Sequence, residues 1–329
     1  MKVGAIDIGT NSMRLLIADY REGNFINRKK FVNTTRIGYG VDSKGYIKED
    51  AIKRNIKALK EFSDKCSDEK CEKIYCMGTS ALRDSKNGDY FVKLAKEETG
   101  IDVDIVTGIE ESNLGFKGVL EGIQGDDTII VIDIGGGSTE FIVGDSEGIK
   151  FNKSENVGAL RMTERFLKHD IIEDEEFEAM SSFIYDEIDK TLNHIKDRGL
   201  KTLIGIGGTI TSLSAMNQEL EVYSMEKIHN SKIHKKEIEE ILQKLIKMTL
   251  SDKKNLKGLQ EKRADIITAG VKILNIIMEK LEIEEITVSE YDNLEGLICQ
   301  KYKKNVLIFL ILNTDYDKKN YSSLLQFLI

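Results

Sequence analysis

The residues best placed to do chemistry lie in the stretch 132–145, IDIGGGSTEFIVGD. Asp133 ends a short β-branched run, Ile129, Ile130, Val131 and Ile132, that reads as a buried strand. Gly135, Gly136 and Gly137 then remove three consecutive Cβ atoms, which lets backbone amides approach an anion closely. Ser138 adds a hydroxyl donor and Glu140 a second carboxylate. A plain glycine hairpin has the same local look, so the weight rests on a second copy. Residues 6–19, IDIGTNSMRLLIAD, overlay the first stretch at one constant offset. Ile6, Asp7, Ile8, Gly9, Ser12 and Asp19 match Ile132, Asp133, Ile134, Gly135, Ser138 and Asp145. Two such strand-turn-strand loops facing across a cleft would suit a phosphate chain with a divalent cation between them.

A frame must hold the two loops apart and aligned. In chain order, residues 2–7, 13–19 and 25–32 read as a three-stranded meander. A helix over 49–65 follows, with Ile52, Ile56, Leu59 and Phe62 on one face. Strand 73–77, helix 90–98, strand 103–106 and helix 110–121 complete the order βββαβαβα. The glycine-bearing, polar stretch 122–127 reads as a linker. The second half opens on strands 128–133, 139–144 and 149–155, then helices 159–167 and 174–196. Strand 203–206 runs into Gly207, Gly208 and Thr209 and a helix expected from Ile210. Helices 235–249 and 263–281, strand 286–289 and a helix from near Leu294 follow. The expectation is an N-terminal domain over 1–123, a C-terminal domain over 124–305 whose last helix packs back on the first, and a tail over 306–329. The apolar run 306–312 is far below the about 20 residues that span a bilayer, and it reads as a docked tail.

Composition narrows the class. The 329 residues suffice for two cores, and 40% hydrophobic with 32% charged residues describes a soluble globular protein. A formal net charge of -8 argues against a general nucleic-acid or anionic-membrane binder. It leaves an anionic substrate open if cations gather in the cleft. Asp7 and Arg14 interrupt any apolar leader after Met1, so a cytoplasmic chain is expected. Cys66, Cys71, Cys76 and Cys299 are too scattered for a disulfide framework and read as free thiols. The four histidines neighbour no second metal ligand in a known pattern.

Six segments together resemble a known family: AIDIGTNSMRLLI, GTSALRD, TGIEESNLGF, VIDIGGGSTEFIVG, VGALRMTERF and GIGGT. They resemble, in order and spacing over roughly 2–301, the exopolyphosphatase/guanosine pentaphosphate phosphohydrolase family. The resemblance implies an α/β fold of two duplicated βββαβαβα domains. That is the fold of the actin-like, sugar kinase and heat-shock chaperone superfamily, which is ribonuclease H-like. It further implies magnesium-dependent removal of the terminal phosphate from inorganic polyphosphate, in the family's short form without the C-terminal phosphohydrolase domain, and a possible homodimer. Cleavage of guanosine pentaphosphate by the same residues is the alternative. A non-catalytic or kinase-like nucleotide-binding member of the superfamily is a third.

Residue roles follow from the resemblance and from the needs of phosphoanhydride hydrolysis. Glu111 matches the catalytic carboxylate, and Arg83 an arginine beside the scissile end. Glu110 is adjacent, and successive helical residues point about 100° apart, so only one faces a given water. An acidic pair is also favoured near any helix N-terminus. Gly9, Thr10, Asn11 and Ser12 form the first phosphate loop, and Asp133, Gly135, Gly136, Gly137 and Ser138 the second. Gly207, Gly208 and Thr209 open a helix whose amides suit another phosphate, and Arg161 and Arg263 fall in positions that line a path for the chain. Asp133, Glu140 and Asp7 are the magnesium-shell residues, acting through water, though an Asp at a strand end also caps turns. Arg14 stands where the other loop has Glu140. The family pattern S-D-x-G-x-R-E-G is replaced here by Ser289, Glu290, Tyr291, Asp292, Asn293, Leu294, Glu295 and Gly296. In the resembled family this segment joins the two domains, so the departure bears on the closing contact and on a substrate-path cation, and it is expected to leave the chemistry itself untouched.

Overall fold

The computed structural model describes residues 1–313 except 22, 124 and 126, with side chains described as far as residue 303. The meander forms as its spacing predicts: β1 (Lys2–Ile8), β2 (Met13–Arg21) and β3 (Asn24–Asn33) are antiparallel neighbours. Then come α1 (Val41–Lys44), α2 (Glu49–Asp68), β4 (Lys73–Gly78), α3 (Ser80–Asp84), α4 (Gly88–Thr99), β5 (Val103–Ile105) and α5 (Gly108–Gly122). β4 and β5 add in parallel beyond β1, so the sheet order is β3-β2-β1-β4-β5.

The second half repeats this plan. β6 (Ile129–Ile134), β7 (Thr139–Asp145) and β8 (Gly148–Glu155) form its meander. They are followed by α6 (Ala159–Phe166), α7 (Asp174–Lys196), β9 (Leu203–Ile206), α8 (Gly207–Asn217), α9 (Met225–Ile228) and β10 (Lys232–His234). The chain continues through α10 (Lys235–Lys247), α11 (Leu250–Lys254), α12 (Ile267–Leu281), β11 (Glu285–Val288) and α13 (Asn293–Asn313). The sheet order is β10-β11-β9-β6-β7-β8, which from β8 to β11 matches the first sheet strand for strand and adds β10 as an antiparallel edge. This is the duplicated α/β fold that the resemblance implies.

Burial explains why the elements sit where they do. β6 is buried at every residue because helices cover both faces of its sheet. The apolar face of α2 buries Ile52, Leu59 and Phe62 against Ile6, Leu15 and Phe91 of the first half. α5 and α13 lie between the two sheets. Leu294, Leu297 and Ile298 of α13 pack with Val3, Ala5 and Leu16 of the first sheet. Phe116 and Val119 of α5 pack with Val131, Ile142 and Ile204 of the second. The two helices touch through glycine: a Cβ at Gly118 would meet Asp292 O at 1.9 Å, and one at Gly296 would meet Leu114 O at 1.9 Å.

Some expectations shift. α8 starts at Gly207 rather than Ile210, so the glycines are its first turn and not a loop before it. The helix expected from 263 starts at Ile267, because residues Glu261–Arg263 form a 3₁₀ turn that sets Arg263 apart. α1, α3, α9, α11 and β10 are three to five residues long, too short to show a period. Of the expected tail, the α13 backbone runs through 313, and residues 314–329 lie outside the described residues. All four cysteines are free. Among the described residues no helix is long and apolar enough to cross a membrane.

Candidate active site

The two repeated turns close in the same way. Gly9 N donates to Ser12 O at 3.1 Å, and Gly135 N to Ser138 O at 3.0 Å. They border one cleft of about 60 Å³, whose walls include residues 9–12 and 135–138, Asp7, Asp133, Glu111 and Arg263. A third wall is the first turn of α8, at Gly207, Gly208 and Thr209. The amides that open a helix have no partners within it, and the helix dipole there favours an anion. Gly207 has φ 83°, and a Cβ on it would lie 2.1 Å from Asp133 Oδ1, so only glycine lets the carboxylate rest against this turn.

Glu111 is singled out from Glu110 by a helix cap. Thr107 Oγ1 accepts from Glu110 N at 3.2 Å, while Glu110 Oε2 accepts from Thr107 N at 2.8 Å. Glu110 is spent on that box at the surface. Glu111, 7% exposed, turns into the cleft. Arg83 Nη1 donates to Glu111 Oε2 at 3.1 Å and to Val106 O at 3.0 Å. Burial, reinforced by the nearby Glu140, pushes the Glu111 carboxyl well above the usual range, against the pull of Arg83. A raised pKa makes the ionised carboxylate a stronger proton acceptor.

The other carboxylates divide into two environments. Asp133 Oδ2 accepts from Asn293 Nδ2 at 2.9 Å, and burial pushes its pKa up to about 6, with Arg14 opposing. Asp7 Oδ2 accepts from Arg14 Nε at 3.0 Å and Nη2 at 2.6 Å. Among the described residues, Asp7 Oδ1, Asn11 Oδ1 and Asn293 Oδ1 are buried without a partner, and all three residues border the cleft. Glu140, expected in the magnesium shell, is absent from the cleft wall. It is 1% exposed, its Oε1 accepts from Ser154 Oγ at 2.7 Å, and burial followed by Asp133 pushes it up to about 8.

Among the described residues, no three His, Cys, Asp or Glu side chains converge to hold a metal by themselves. Magnesium keeps most of its waters and takes one or two carboxylates plus phosphate oxygens. Asp133 and Asp7, with the unpartnered amide oxygens beside them, fit an ion of that kind.

The cations are sorted differently from the expectation. Arg263, 8% exposed, borders the cleft, and among the described residues its guanidinium has no ion pair or hydrogen bond. Burial and the nearby Arg14 push its pKa down to about 10. Arg83 is not in the cleft wall, because Glu111 and Val106 occupy it from behind. Arg161 is not there either. Its Nε donates to Gly137 O at 2.7 Å, its Nη2 to Asp84 at 2.8 Å and its Nη1 to Asp42, so it ties α6 to the first half.

The altered stretch 289–296 reaches the carboxylates of the site as well as joining the two halves. Asn293 orients Asp133, and Asp292 Oδ2 accepts from Arg14 Nη1 at 2.8 Å and Lys30 Nζ at 3.2 Å. Only the Asp292 to Glu295 spacing, which marks a capped helix start, was a local signal there.

The chain is similar to known proteins over most of its length. The Ppx/GppA phosphatase family model matches residues 16–305. A bifunctional 3-dehydroquinate synthase/phosphatase of Fusobacterium nucleatum is 40% identical over 308 residues, covering 90% of this chain and 46% of that protein. The chain thus spans about half the length of that relative. Exopolyphosphatase 2 of Mycobacterium tuberculosis is 31% identical over 310 residues, 90% of this chain and 97% of that one. The crystal structure of an exopolyphosphatase from Cytophaga hutchinsonii is similar at a TM-score of 0.85 and 28% identity, covering 92% of this chain and 98% of that one. Because the family model matches residues 16–305, through both halves of the fold, the chain belongs to the Ppx/GppA phosphatase family.

Proposed function

We propose that this protein is an exopolyphosphatase that removes the terminal phosphate of inorganic polyphosphate with the help of magnesium. The observation that carries the reading is the buried Arg263, unpaired among the described residues, in the same cleft as Glu111. A buried cation without a counter-ion is costly, and an anionic ligand is what offsets that cost. The amides of the two turns and of the α8 start receive the oxygens of the terminal and next phosphates. Arg83 holds the Glu111 carboxyl in one orientation, and Glu111 takes the proton of the attacking water. The narrowness of the cleft limits the water that enters with the substrate. Magnesium held through water by Asp133 and Asp7 would supply charge neutralisation on the phosphate oxygens.

A second cavity of about 470 Å³ adjoins the cleft through Arg14, Gly207, Gly208 and Arg263 and includes the Tyr223 ring. It supports a second reading, guanosine pentaphosphate as substrate, with the nucleoside outside the cleft. Phosphate release from purified protein offered long-chain polyphosphate, guanosine pentaphosphate and ATP in parallel separates the two. Release from ATP alone would sink both.

A further inference from the structure

The second cavity has cations in its wall, yet most of their charge is already spent. Of Arg14, Lys30 and Arg263, only Arg263 lacks a carboxylate partner among the described residues. Arg14 lies between Asp7 at 2.6 Å and Asp292 at 2.8 Å. Lys30 faces Asp292 at 3.2 Å, Glu295 at 3.2 Å and Glu290 at 3.7 Å. Asp292 and Glu290 themselves border the cavity, as does Glu226. A phosphate chain leaving the cleft past Arg263 would therefore set its next negative charges beside carboxylates, in surroundings where Asp292 and Glu290 are 4% and 3% exposed. These carboxylates share their charge with Arg14 and Lys30, so beyond Arg263 the wall offers a phosphate no free cation among the described residues.

Resting on the reading of a terminal phosphoanhydride as substrate, we propose that Asp292, seconded by Glu290, is a specificity-determining charge filter that ends the run of phosphate sites at Arg263. Substrates with a short phosphate chain fit, and extension of the chain gains nothing. Asp292 stands where the resembled pattern has glycine. Asp292 also caps α13, its Oδ1 accepting from Leu294 N at 2.9 Å while Glu295 Oε2 accepts from Asp292 N at 3.0 Å. A purely structural role would end there.

The test is binding, so it stands apart from turnover. Dissociation constants for tripolyphosphate and for long-chain polyphosphate are measured by titration calorimetry with the full chain and with Asp292→Asn. Asparagine keeps the helix cap and removes the charge. Per chain end, the unaltered protein binds the long chain no tighter than tripolyphosphate. Asp292→Asn tightens long-chain binding on the order of tenfold, the effect of removing one nearby like charge at intermediate dielectric. It moves tripolyphosphate much less.

Glu290→Gln, which leaves the α13 cap alone, changes the same ratio in the same direction and serves if Asp292→Asn folds poorly. The filter is overturned if neither variant changes the long-to-short ratio, if both lengths shift equally, or if the unaltered protein already favours long chains. Absence of turnover on every phosphoanhydride would overturn the proposed function instead, and leave the binding ratio to decide the filter.

Discussion

Replacing Arg263 by methionine should make the protein more stable and less active at once. Arg263 is 8% exposed and its guanidinium has no counter-ion among the described residues, and burial with repulsion from Arg14 pushes its pKa down to about 10. A displacement of that size corresponds to roughly 3 kcal/mol held against the folded state at neutral pH. Methionine keeps most of the aliphatic packing and brings no charge, so part of that cost is recovered. Each kcal/mol gained raises the melting temperature of a chain this long by about 1–2 °C.

Substrate binding suffers in return, because a charge-assisted hydrogen bond contributes about 1.5–3 kcal/mol, or roughly 10- to 150-fold in affinity. The assay is a thermal melt of both proteins with and without tripolyphosphate, paired with KM on the same compound. The unaltered protein melts lower alone and gains more from the ligand, and the variant shows the reverse pattern with a raised KM. A variant that melts lower, with an unchanged ligand shift and KM, would show that Arg263 is an ordinary packing residue.

Three further outcomes are expected. Glu111→Gln should lose roughly 10²- to 10⁴-fold in kcat while still binding polyphosphate, and near-normal turnover would remove Glu111 from the mechanism. Glu140 holds its proton up to about pH 8 in the folded state against 4.5 in the unfolded chain, so the native state binds the extra proton. Its contribution to stability is therefore undiminished below about pH 4.5 and falls as pH rises towards 8, by at most about 1.4 kcal/mol per pH unit. Denaturant melts between pH 5 and 8 should slope less in Glu140→Gln, and parallel slopes would contradict the buried, protonated state. Gly207→Ala forces a positive φ costing about 1–2 kcal/mol and drives a methyl into Asp133, so both melting temperature and kcat should drop. Unchanged kinetics would mean that Asp133 need not lie against α8.

The sequence by itself determined the elements whose information is local. The two IDIG turns, their strands and the order βββαβαβα follow from short-range periodicity and from a repeat visible without any structure. The choice of Glu111 over Glu110 came from the family resemblance, and the structure adds that Glu110 closes a capping box with Thr107 while Glu111 faces the cleft. Only the tertiary structure decided which charges are free. Arg83, Arg161 and Arg263 look alike in sequence, yet Glu111 occupies the first, Asp42 and Asp84 the second, and no described carboxylate meets the third. Likewise Asp292 and Asn293 enter the site from a segment far along the chain, carried there when α13 packs between the sheets against α5. Local sequence fixes backbone shape, but the strength of a charge depends on its burial and on partners brought from elsewhere, and those exist only once the chain has folded.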